Sequence, residues 1–151
     1  MDGVIDKIFI ALEGGADMQA VETVEALAGS GLRGDRYCQM SGHEPGKDQS
    51  QVTLIEKESL EAVARELGIE FTKGEHRRNL VTRGLRLESL EGKRFRVGEA
   101  VLEFHQPRPT CHYIESITTK GMTKALIGRS GIGARVVQSG LIHIHDPIEV
   151  L

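Results

Sequence analysis

Glycine recurs along the whole chain, and this limits how long any regular element can be. Eighteen of the 151 residues are glycine, about 12% against a usual ~7%. They run from Gly3 to Gly140 and are not gathered in one linker. Short strands joined by tight turns account for such spacing, because glycine reaches the positive-φ conformations of turns without steric cost.

The pattern between the glycines supports this. Val4–Leu12 is an apolar-rich run that suits a first strand, ended by Gly14-Gly15. Ala20–Leu27 alternates and reads as a second strand. Gly29–Tyr37 is a glycine-rich loop, and the polar stretch Cys38–Ser50 reads as a long surface loop. Gln51–Ile55 is a short strand that runs into a helix over Glu56–Leu67. There Leu60, Val63, Ala64 and Leu67 share one face, and Gly68 stands where a C-cap would. Two hairpins follow. Arg94–Val97 and Ala100–His105 flank Gly98-Glu99, a two-residue loop suited to a type II′ turn, and Arg135–Gln138 and Leu141–His145 flank Ser139-Gly140 in the same manner. A second short helix over Thr119–Ile127 is closed by Gly128. The count predicts a mostly β (α+β) fold, a barrel or sandwich with one or two short helices, in a single domain over residues 1–151.

Composition narrows the function classes. A formal charge of −3 and a pI near 6.1 argue against non-specific nucleic-acid binding, which needs a clustered positive surface. Tryptophan is absent, and four Phe and two Tyr leave few platforms for stacking bases. No apolar run approaches the roughly 18 residues that would span a bilayer. Asp2 and Asp6 sit in an N-terminus without a cleavage-site pattern, so no signal peptide is expected. The expected compartment is the cytoplasm, where Cys38 and Cys111 stay reduced.

Cys111 is the first chemical candidate. It follows Pro107-Arg108-Pro109-Thr110, a stiff run, and Arg108 and His112 are placed to stabilise a thiolate. A buried structural cysteine is the plainer alternative. Arg77-Arg78-Asn79 comes second. Arginine donates paired hydrogen bonds to anionic oxygens, and an asparagine amide matches a heterocycle edge. The plainer alternative is a solvated basic face beside Glu75. Gly34-Asp35-Arg36 is third, as a turn from which Arg36 projects or as a turn with an incidental ion pair. His143 and His145 would share one face of a strand, and His105, Cys111 and His112 would be further metal ligands. No CxxC or HxxxH pair accompanies them, and His145 also reads as a surface residue at a strand end. The chain has no P-loop, no GxSxG elbow and no dinucleotide fingerprint in a strand–helix context.

Taken in order, several stretches resemble the MOSC family, named for the C-terminal domain of molybdenum cofactor sulfurases. They are Gly31-Leu32-Arg33-Gly34-Asp35-Arg36-Tyr37, Gln51-Val52-Thr53-Leu54-Ile55-Glu56, Arg78-Asn79-Leu80-Val81, Leu90 to Gly98, Cys111, and Gly133 to Gly140. The resemblance implies a closed β-barrel of the MOSC type with a cleft for molybdopterin. It implies that Cys111 ligates molybdenum or carries sulfur as a persulfide. Arg78 and Asn79 would hold the cofactor's phosphate and pterin, with Arg36 as a further cofactor-binding residue. Two positions depart from the family pattern. Thr110 intervenes between Pro109 and Cys111, and His145-Asp146-Pro147 stands where the family has Gly-Asp-Pro or a close variant. No aminotransferase-like domain is present, so no pyridoxal phosphate is expected on this chain. Three functions follow from the resemblance. The first is a molybdenum-cofactor enzyme that reduces N-hydroxylated substrates with a separate reductase. The second is a sulfur or cofactor carrier serving a client molybdoenzyme. The third is a non-catalytic barrel for another anionic ligand. None involves nucleic acid or membrane.

Overall fold

A computed structural model describes residues 3–13, 16–40, 50–71, 73–110 and 112–151. Among these, the chain forms β1 (Val4–Ile10), β2 (Gln19–Val21), β3 (Thr23–Leu27), β4 (Gly31–Leu32) and α1 (Arg36–Met40). Next come β5 (Val52–Glu56), α2 (Lys57–Leu67), β6 (Leu80–Arg83), β7 (Arg94–Val97) and β8 (Ala100–Pro107). The last are α3 (His112–Ile117), α4 (Met122–Ala125), β9 (Ile132–Gln138), β10 (Gly140–His143) and β11 (Ile148–Val150). Eight strands make a large sheet in the order β11-β7-β8-β9-β5-β6-β1-β2, and β10-β3-β4 make a smaller one.

β5 and β6 run parallel. Parallel neighbours need a crossover, and α2 supplies it. Four of the five β5 residues are buried, as expected of a strand covered on both faces. α2 buries Leu60 and Val63, and Gly68 ends it in the left-handed conformation at φ 67° with its N–H bonded to the Ala64 carbonyl. The main core gathers Ile5, Leu32, Leu54, Leu80, Phe95 and Leu102, each 0% exposed. Full burial of such a side chain stabilises by roughly 1.5–3 kcal/mol. No described helix is long and apolar enough to cross a membrane.

The closed barrel expected from the sequence does not form: the sheet is not closed by hydrogen bonds between its end strands, β11 and β2. β1 gives the edge away from β6 to β2 over Ile8–Ile10. At its other end β1 meets the turn before β11 in an isolated bridge, Val4 to Pro147, and through two Ile5 backbone bonds, in which its N–H donates to the Asp146 carbonyl and its carbonyl accepts from the His145 N–H. A register shift between Ile5 and Lys7 bends β1 between these two contacts.

Three element boundaries also differ from the sequence reading. The run Ala20–Leu27 is two strands, broken by a bend at Glu22, and the halves join different sheets. The hairpin expected across Ser139-Gly140 does not form, because β9 pairs with β8 and β5 while β10 pairs with β3. The expected helix Thr119–Ile127 is reduced to α4, and α3 precedes it. The hairpin at Gly98-Glu99 does form, with Val97 opposite Ala100 and Gly98 at φ 58°.

Gly140 lets the chain cross between sheets, because its backbone presses on the β7–β8 turn. A Cβ there would meet the Glu99 carbonyl and lie 2.7 Å from the Ala100 nitrogen. Gly140→Ala is expected to destabilise the fold by about 2–4 kcal/mol, read as a lower urea midpoint. His145 sits at φ 72°, a conformation that suits glycine better. His145→Gly is expected to raise stability by up to about 1 kcal/mol, measured the same way.

Candidate functional site

The site grows from the turn between β4 and α1. Asp35 is 0% exposed. Its Oδ1 accepts hydrogen bonds from the Ala11 N–H at 3.0 Å, Asn79 Nδ2 at 3.2 Å and Arg36 Nη1 at 3.2 Å, and its Oδ2 accepts from the Tyr37 N–H at 3.2 Å. Asn79, also 0% exposed, extends the network. Its Nδ2 also donates to the Phe9 carbonyl at 3.0 Å, and its Oδ1 accepts from the Thr53 N–H at 3.0 Å and Thr53 Oγ1 at 3.2 Å. Both amide donors and both acceptor lone pairs are thereby used. Asn79 thus ties β1, β5 and the start of β6 to the Asp35 turn.

Three arginines collect around this network, each under a tenth exposed: Arg36 6%, Arg77 8% and Arg78 5%. Arg36 Nη2 donates to the Arg77 carbonyl at 3.0 Å and to Tyr37 Oη at 3.3 Å, and its guanidinium lies 4.3 Å from the Tyr37 ring centre. Arg77 donates to the Ala16 carbonyl and lies 5.5 Å from the Tyr113 ring centre. Arg78 donates through Nε to the Ser130 carbonyl at 2.8 Å, and through Nη2 to Ser130 Oγ at 2.7 Å and the Pro109 carbonyl at 3.2 Å. It therefore holds the proline segment two residues before Cys111. A fourth arginine, Arg108, lies 6.0 Å from the Tyr37 ring centre.

The titrating groups report a positive local potential. Burial lowers the Arg77 pKa, and the adjacent Arg36 lowers it further. His76, 2% exposed, is pushed down to about 3 by burial, then by Arg78, Lys7 and Arg77. Burial and Arg108 lower His105. The Cys38 thiol is free and raised by burial and then by Asp35, outweighing Arg33, which makes it a poor nucleophile at neutral pH.

A cleft of about 550 Å³ borders the cluster between α2, residues 84–91 and residues 128–132. Its walls include Arg108 and Ser130 but not Arg36, Arg77 or Arg78. Three of its four acids are engaged locally: Glu56 and Glu88 pair with Arg86, and Glu58 accepts the Gly84 N–H. The arginine–tyrosine cluster is therefore the better candidate for charged-ligand chemistry.

The fold brings Arg36, Arg77 and Asn79 into one network although Arg36 is remote from the others in sequence, while the Arg78 side chain bonds to Ser130 and Pro109. Cys111 lies outside the described residues, as does most of the stretch Cys38–Ser50. The metal reading of the histidines changes, since β10 ends at His143 and His145 turns into a left-handed conformation, so the two do not share a strand face. Among the described residues no group of three or more His, Cys, Asp or Glu is placed to hold a metal ion. Sequence reasoning missed Tyr37, Tyr113, Thr53 and Ser130. The tyrosines had a signal: the chain has two, one beside Arg36 and one two residues past Cys111, and both pack on the arginines.

The family model for the MOSC domain matches residues 41–149. The chain belongs to the MOSC domain family. The family is associated with molybdenum cofactor sulfurase-like function. The matched region holds Arg77, Arg78, Asn79 and Cys111, while the Asp35–Arg36 turn lies just before it. The fold of this MOSC domain is similar to that of the YuaD protein from Bacillus subtilis, with a TM-score of 0.81 and 19% identity over 99% of this chain and 96% of that one. It is also similar to YiiM from Geobacillus stearothermophilus, with a TM-score of 0.76 and 21% identity over 99% of this chain and 75% of the other. YiiM from Escherichia coli gives 0.73 and 22% over 100% and 70%. No curated protein matches the sequence.

His76 couples this MOSC domain's stability to pH. Its pKa falls from 6.5 to about 3 on folding, so the unfolded state binds the proton more readily. The stabilisation is complete above 6.5 and is lost as pH falls toward 3. From about pH 7 to about pH 5 the wild type is expected to lose about 2 kcal/mol through this group. His76→Asn, whose side-chain oxygen can still accept the Arg78 N–H, is expected to flatten that part of the profile in urea unfolding.

Proposed function

We propose that this MOSC domain binds the molybdenum cofactor at the arginine–tyrosine cluster and handles it there with Cys111, as a single domain over residues 1–151 working in a reducing cytoplasm. The observation that carries this reading is the packing of Arg36 on Tyr37 and of Arg77 on Tyr113, with these arginines and the adjacent Arg78 each under a tenth exposed. Asp35 meets Arg36, and forked N–H donors crowded in one place suit a phosphate. Tyr37 and Tyr113 offer flat surfaces for a pterin.

The residues divide by role. Arg36 and Arg77 take the phosphate. Arg78 contributes charge and, through the Pro109 carbonyl, steadies the segment leading to Cys111. Asn79 acts by positioning, because its amide is spent on Thr53, Phe9 and Asp35. Cys111 supplies a soft thiolate, the ligand type that suits molybdenum or a transferred sulfur. When bound, the cofactor supplies redox and sulfur chemistry, and a separate reductase or client molybdoenzyme would be the partner. Asp35 keeps Arg36 aimed, and burial keeps His76 neutral near pH 7.

The test is expression in a host that makes the cofactor, followed by molybdenum and pterin assays per chain. Wild type is expected to retain both. Cys111→Ala is expected to lose metal while still binding phosphorylated pterin, and Arg77→Ala to bind that pterin about tenfold more weakly or worse. A wild-type protein carrying neither metal nor pterin, and showing no affinity for the phosphorylated pterin, would sink the proposal.

A further inference from the structure

A second cavity, of about 300 Å³, lies between α2, β1 and β6, and neither Arg36, Arg77 nor Arg78 lines it. Phe9, Leu60, Phe71 and Val81 give it apolar walls. His76 forms part of the lining, 2% exposed, edge-on to Phe9 at 5.2 Å and tilted to Phe71 at 6.2 Å between ring centres. The ring's Nδ1 accepts the Arg78 N–H at 3.0 Å. The imidazole is neutral, so its one proton sits on Nε2.

That Nε2–H has no hydrogen-bond partner among the described residues. It is also not one of the sealed-in unsatisfied atoms of the interior, and the ring that carries it lines the cavity. A buried donor of fixed tautomer facing an aromatic-walled space is a built recognition feature, since leaving it unmet costs free energy. Lys7 also lines the cavity, acts on the His76 ring as a nearby positive charge, and makes no ion pair among the described residues. Lys57 is already paired with Asp6 at 3.6 Å. Glu61 and Glu70 also line the cavity and disfavour a second negative charge on any ligand.

We propose that this cavity is a binding site for a small aromatic monocarboxylate, its ring against Phe9 and Phe71 and its carboxylate on the His76 Nε2–H and the Lys7 ammonium. The site is separate from the arginine cluster and backs onto it through the bond from Arg78 to His76.

The experiment is a benzoate titration of the full chain followed by NMR, with neutral benzamide as comparison. Saturable shifts centred on Phe9, Phe71 and the His76 ring are expected, with benzamide about tenfold weaker. Lys7→Gln changes an exposed side chain and leaves the fold intact, and it is expected to weaken benzoate about threefold. Ala64→Phe, which fills the cavity from α2, is expected to abolish the response. Shifts that stay linear to the highest benzoate concentration, shifts centred on Arg36, Tyr37 and Tyr113, or unchanged affinity in Lys7→Gln would each overturn the proposal.

Discussion

The carboxylate of Asp35 is the interaction on which the rest of the site depends. A fully buried carboxylate is expensive unless its oxygens are met by donors. Here four donors meet them, one from Arg36, one from Asn79 and two from the backbone at Ala11 and Tyr37. Each donor is held in turn by something else. Asn79 is fixed on Thr53 and Phe9, and Arg36 on the Arg77 carbonyl. The end of β1, the β4–α1 turn, β5 and the start of β6 therefore behave as one body, and the arginines inherit their positions from it.

The electrostatics are local. A chain with net charge −3 nevertheless concentrates Arg36, Arg77 and Arg108 near two tyrosine rings. The lowered pKa values of His76, Arg77 and His105 all answer to this crowding as well as to burial. Net charge limits non-specific attraction to polyanions at long range. It places no limit on a local cluster whose guanidiniums are held by backbone carbonyls.

The sheet arrangement serves the same end. The break at Glu22 and the crossing at Gly140 send β3 and β10 into a smaller sheet that carries β4, and β4 delivers the Asp35 turn. Had Ala20–Leu27 run on as one strand, or Arg135–His145 folded as a hairpin, that turn would have no partner strand. Both departures arise because alternation in sequence reports which residues are buried, while the partner strand is chosen by contacts far along the chain.

Local patterns in the sequence were enough for the α2 helix with its Gly68 cap, the Gly98 hairpin and the general richness in short strands, because each depends on neighbours within a few residues. Family membership was also legible, since the ordered stretches from Gly31 to Gly140 carry it. Arg36, Arg78 and Asn79 could be named as polar residues of interest, but their division of labour could not. Only the tertiary structure decided that Asn79 is consumed by internal hydrogen bonds, that Tyr37 and Tyr113 stack on the arginines, and that the large sheet stays open. These outcomes rest on which groups meet across long sequence separations, 44 residues between Asp35 and Asn79 and 52 between Arg78 and Ser130. Such contacts leave no periodic trace in a single chain.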